Sequence, residues 1–79
     1  MPIEYKNNLA VFSDVVSVEE AEALLEWLQK NASASVDLLA CTHLHPANLQ
    51  VLMAAEPVIS AWPADTGLAA WLRSALKAM

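Results

Sequence analysis

Cysteine occurs once in this sequence, at Cys41, so no intramolecular disulfide can brace the fold. The paired cysteine spacing of a zinc ribbon is missing for the same reason, and a chain without disulfides suits a reducing compartment. Basic residues are also scarce. Lys6, Lys30, Arg73 and Lys77 face nine acidic residues, which leaves a formal net charge of −5 at neutral pH. Nucleic-acid binding draws on clustered Lys and Arg that displace counterions, and four scattered cations in an acidic chain argue against it. No stretch approaches the roughly 20 apolar residues that span a bilayer. The opening Met1-Pro2-Ile3-Glu4-Tyr5-Lys6 has no apolar run behind a basic start, so no signal peptide is expected. The expected location is cytoplasmic.

What the chain does have is apolar side chains. Of its 79 residues, 57% are hydrophobic and only 16% are charged. That length allows one domain and one core, and a domain so small buries only about 60% of the surface its unfolded chain exposes. So much apolar surface implies either a core dense in alanine and leucine, or a face that serves as an interface.

The pattern along the chain is that of an α/β domain. Ile3-Glu4-Tyr5-Lys6 and Leu9-Ala10-Val11-Phe12 flank Asn7-Asn8, a hairpin whose turn asparagines tolerate positive φ. Ser17 followed by Glu20 has the spacing of a capping box. Ala21, Leu24, Leu25 and Leu28 then recur on one helical stripe, with Glu19, Glu22 and Glu26 on the other side and Glu26 placed to pair with Lys30. Val36-Asp37-Leu38-Leu39-Ala40-Cys41 is short and apolar, as a buried strand would be. Thr42-His43-Leu44-His45 is expected as a loop, and Pro46 suits the first turn of a second helix running to about Ala55, with Leu49, Leu52 and Met53 inward. Pro57 ends it. Val58-Ile59-Ser60-Ala61-Trp62 is a further buried strand. Asp65 caps a third helix, on which Leu68, Trp71, Leu72, Ala75, Leu76 and Met79 share one stripe. The order β-β-α-β-α-β-α predicts a small mixed sheet, an N-terminal hairpin followed by parallel strands with right-handed crossovers, covered by three helices.

That order, with the run Val36-Asp37-Leu38-Leu39-Ala40-Cys41-Thr42-His43-Leu44-His45-Pro46-Ala47-Asn48-Leu49, resembles the STAS family of sulfate-transporter and anti-sigma-factor-antagonist domains. The family pattern is an apolar-Asp-Leu strand, a short loop, and Asp-Ser-Ser-Gly-Leu opening a helix. Val36-Asp37-Leu38, Thr42, Leu49 and Leu52 match it. In this register His45 stands for the aspartate, Pro46 and Ala47 for the two serines, and Asn48 for the glycine. The chain ends one strand and one helix before the family pattern does. The resemblance implies a non-catalytic protein-interaction or regulatory module in bacterial signalling, with Thr42, His43, His45, Pro46, Ala47 and Asn48 as its contact surface. Its partner would be an anti-sigma-type serine kinase, or a subunit of a membrane transport complex to which the chain is accessory. Phospho-switching family members accept phosphate on the second serine, and Ala47 has no hydroxyl to accept it. The exposed start of the second helix is expected to offer free N–H groups to an acidic partner.

A rival reading is a small metal-binding protein using Cys41, His43 and His45. In an extended segment Cys41, His43 and His45 would fall on one face, and these are residue types that zinc accepts. A second half to the ligand set is missing, so the plainer reading is a buried cysteine and a capping histidine, with no metal and no cofactor. No nucleophile, base and orienter can be identified together, and no catalytic residue is expected. Trp71 is expected in the core, while Trp27 and Trp62 are candidates for exposed anchors. An open sheet edge and the apolar composition point to a possible homodimer.

Overall fold

Strands β1 (Ile3–Lys6) and β2 (Leu9–Val16) form the expected hairpin, pairing antiparallel with Lys6 opposite Leu9, so Asn7-Asn8 is a two-residue turn. Neither asparagine takes a positive φ, so the turn closes without the left-handed backbone expected of it. This is a computed structural model, and it describes residues 2–31 and 33–77, so Met79, expected on the stripe of the third helix, lies outside the described residues. After the hairpin come α1 (Ala21–Lys30), β3 (Ser35–Leu44), α2 (Pro46–Ala55), β4 (Val58–Ala61) and α3 (Thr66–Lys77). The four strands form one mixed sheet in the order β1-β2-β3-β4, with β3 and β4 joining parallel. The fold is the predicted β-β-α-β-α-β-α arrangement.

Both crossovers step in the same direction across the sheet. Right-handed connections of that kind place their helices on one face. The helices α1 and α2 pack together and α3 packs on α2, which makes one helical layer. Between the layers lies a single core that includes Phe12, Leu24, Val36, Leu38, Leu52 and Leu72, each fully buried. Burying a side chain of that size is worth about 1.5–3 kcal/mol. Among the described residues, no helix covers the opposite face of the sheet.

The structure corrects several local expectations. Ser17 makes no side-chain cap. A 3₁₀ turn over Val18–Glu20 intervenes before α1, so Glu20 itself becomes the N-cap and the capping-box geometry never arises. Strand β3 runs on through Thr42-His43-Leu44, the segment read as a loop, because β2 also extends to Val16 and supplies a partner for it. Met53 faces solvent, since α2 is flanked by α1 and α3 and its inward positions are Leu49 and Leu52. Trp71 is 39% exposed, one position away from the buried Leu72. Ile59 and Leu68 are partly buried at the margin of the core, because β4 is an edge strand rather than a fully buried one. Asp65 caps α3 as expected, its Oδ1 accepting the Leu68 N–H at 2.8 Å.

Candidate functional site

Ten residues of β3 lie against eight of β2. Val11 pairs with Asp37 but Ser13 with Ala40, and Asp14 pairs with Cys41 but Val15 with His43. Each step inserts one extra residue in β3, a bulge that breaks strict alternation. Inward positions therefore fall at Val36, Leu38, Cys41 and Leu44, with Leu39-Ala40 and Thr42-His43 exposed between them. Asp14, across from the second bulge, takes a left-handed φ of 55°.

The bulge between Cys41 and His43 separates the residues that simple alternation would gather. Cys41 is buried and its thiol donates to the His43 carbonyl at 3.4 Å, while the His43 side chain is exposed. Burial pushes the Cys41 thiol up, and the nearby Asp14 charge adds to the shift. The His45 ring is committed elsewhere. Among the described residues, no group of three or more His, Cys, Asp and Glu side chains is placed to hold a metal ion. The single-face reading of Cys41, His43 and His45 is thus replaced by three different environments.

His45 organises the junction from β3 into α2. Its extended backbone (φ −65°, ψ 141°) is that of an N-cap, and its Nδ1 accepts the Ala47 N–H at 3.0 Å. Pro46 occupies the first turn with no N–H to satisfy. The His45 carbonyl accepts from Asn48 at 2.9 Å and from Leu49 at 3.3 Å, and the His45 N–H donates to Val16 at 3.0 Å. The N–H groups expected to be free at the start of α2 are therefore already bonded within the chain. That removes the anion-docking role inferred for this helix end.

Of the six residues expected on the contact surface, Thr42, His43 and Pro46 are exposed, and His45 and Ala47 are half-buried. Asn48 is fully buried. Its Nδ2 donates to the Ser17 carbonyl at 2.7 Å, and its Oδ1 has no hydrogen-bond partner among the described residues. Asn48 is a tie between α2 and the turn before α1, and its side chain presents nothing outward.

The two candidate tryptophan anchors are half-buried rather than free. Trp27 packs on Tyr5 with ring centroids 5.2 Å apart, and Arg73 lies over the Trp62 ring at 5.3 Å. The Tyr5 hydroxyl is buried without a partner among the described residues, and burial, reinforced by the Glu20 charge, pushes the phenol up. Among the described residues, no helix is long and apolar enough to cross a membrane.

Comparison of the sequence with protein-family models and with curated proteins finds no match. The surface feature that sequence reasoning missed is on the sheet. Val15 and Leu39 are each 56% exposed and Val58 is 64% exposed, all on β2, β3 and β4. Their exposure depends on bulges and on the one-sided helix layer, which local hydrophobicity does not signal.

Proposed function

We propose that this chain is a non-catalytic, STAS-like protein-interaction module whose contact surface is the outer side of the β3–α2 junction. The observation that carries the reading is the combination of a firmly bonded junction with outward-facing Thr42, His43 and Pro46. A surface held by the His45 cap and by the Asn48 tie loses little freedom when a partner docks, and preorganisation of that kind favours affinity. The mixed sheet with its β-β-α-β-α-β-α order agrees with the STAS-like architecture. Ala47 stands where switching relatives carry a phosphoacceptor serine, so docking here is constitutive or is controlled by the partner.

The fitting partner is an anti-sigma-type serine kinase of a bacterial signalling system. Binding of the purified chain to such a kinase is measured with and without ATP. The expected result is a complex, with no phosphate transferred to residues 42–48. Thr42→Glu combined with His43→Glu should weaken that complex at least about tenfold, or 1.4 kcal/mol, with the melting temperature unchanged because both side chains are exposed. A complex indifferent to the double substitution, or phosphate on Thr42 that alters binding, overturns the reading.

A further inference from the structure

The uncovered face of the sheet can be read rung by rung from the strand register. Lys6, Leu9, Ser35 and Val58 form one rung on that face, and Glu4, Val11, Asp37 and Ala61 form another. Toward the far end stand Leu39 and Val15, more than half exposed. The central strands present Leu9, Val11, Val15 and Leu39 on this face, with Ser35 and Asp37 among them. Its charged groups lie mainly at the β1 margin, where Lys6 and Glu4 pair at 3.6 Å with both side chains largely exposed. Asp37 is turned back on its own strand, accepting the Leu39 N–H at 3.0 Å. Large apolar side chains left exposed together on one sheet face, Val15, Leu39 and Val58, mark an interaction surface.

We infer that this sheet face is the surface through which two copies of the chain associate, face to face. Charge distribution selects a second copy. The chain carries −5 overall, yet Glu4 and Lys6 cancel here, and Asp37 is the remaining carboxylate of the two rungs. The exposed acids Glu19, Glu22 and Glu26 lie on α1 and the turn before it, in the helical layer away from this face. Two acidic molecules can thus meet through this face with fewer like charges opposed than they would meet through the helices.

Area selects the face over the edges. Strands of four, eight, ten and four residues, at about 4.8 Å spacing and a rise of about 3.3 Å per residue, give a flat footprint of about 410 Å² per copy. Two footprints total about 820 Å² before side-chain relief is counted, the size of a weak, concentration-dependent association. Pairing through β1 or β4 would engage only four residues of either strand. Short edge strands, one of them carrying a charged pair, are a common way to discourage edge pairing. Two twisted sheets stack about 10 Å apart at about 30°, so one copy offers the other a surface of matched shape. Oligomerisation also supplies burial that a domain this small otherwise lacks.

Sedimentation velocity of the full chain across a concentration series tests this, together with Leu39→Glu and Val15→Glu. A concentration-dependent dimer is expected for the unchanged chain. Each substitution should weaken it at least about tenfold, as setting an unpaired charge among apolar contacts does, while circular dichroism stays native. Glu22→Lys, on α1, should leave the dimer in place. If Leu39→Glu does not fold, Val15→Glu decides. A chain that stays monomeric at hundreds of micromolar overturns the inference, and so does a dimer that survives both substitutions in folded protein. Val15 pairs with His43 across the strands, so kinase binding at the β3–α2 junction is compared with Leu39→Glu, and a kinase complex that survives loss of the dimer separates the two readings.

Discussion

The side-chain amide of Asn48 donates to the carbonyl of Ser17 at 2.7 Å, across 31 positions of sequence, and so joins the start of α2 to the turn that precedes α1. Because Asn48 is fully buried, losing this bond leaves the Ser17 carbonyl with one partner fewer and opens a small void. Asn48→Ala should cost about 1–3 kcal/mol, the scale of an unsatisfied buried group. Asn48→Asp should cost more at neutral pH, since it sets a buried carboxylate against a carbonyl oxygen. Urea unfolding of both variants checks the order, and an Asn48→Asp variant as stable as the parent would show that the tie is not formed.

His45 caps α2 through a ring nitrogen, a role usually filled by Ser, Thr, Asp or Asn. His45→Ala should cost about 0.5–2 kcal/mol, and His45→Asn should recover most of it because its side-chain oxygen can take the same N–H. Equal losses in the two variants, measured by denaturant titration, would mean that the ring acts by packing instead.

Cys41 sets an alkaline limit on the fold. An unfolded thiol ionises near pH 8.5, whereas burial and the Asp14 charge hold the folded thiol protonated to higher pH. Where the folded state keeps a proton that the unfolded state has lost, stability falls as pH rises. Stability should therefore be undiminished below about pH 8.5 and should decline above it, and Cys41→Ala should flatten that decline. Tyr5, raised by burial and by Glu20, should add a second decline above about pH 10 that Tyr5→Phe removes. Thermal melts at several pH values separate the two. The protonated, buried thiol should also react with alkylating reagents only after unfolding.

Adjacent residues of α3 test which face of it is packed. Leu72 is fully buried and Trp71 is 39% exposed. Leu72→Ala should cost about 2–5 kcal/mol, and Trp71→Ala should cost far less despite deleting more atoms. Comparable losses would place the helix in a different rotation.

The elements could be read from the chain because helical stripes and Pro or Asn punctuation are local signals. Leu24 and Leu28 on α1, Leu49 and Leu52 on α2, and Leu72 on α3 were all expected inward and are buried. Misreadings arose where a distant partner decided the outcome. Thr42-His43-Leu44 is polar enough to look like a loop, and becomes strand only because β2 extends alongside it. Trp71 lies on the apolar stripe, but the layer beside α3 is too narrow to cover its whole apolar side. Ser17 has the right spacing for a cap, yet its carbonyl is used by Asn48 and by the Glu20 N–H, which shapes the 3₁₀ turn instead. The candidate contact residues could be named as a cluster, but the division into outward Thr42, His43 and Pro46 and inward Asn48 was set by the bulges and by α1.

The two extra residues of β3 give the strand a reserve of length. Deleting one residue at Leu39-Ala40 would convert the first irregularity into ordinary alternation and still leave Leu38, Cys41 and Leu44 facing the helices. The same deletion in β2 between Ala10 and Phe12 has no slack to absorb it, and would turn one half of that strand inside out. Natural or engineered changes of chain length should thus be tolerated in β3 and rejected in β2, even though the two strands lie side by side in the centre of one sheet.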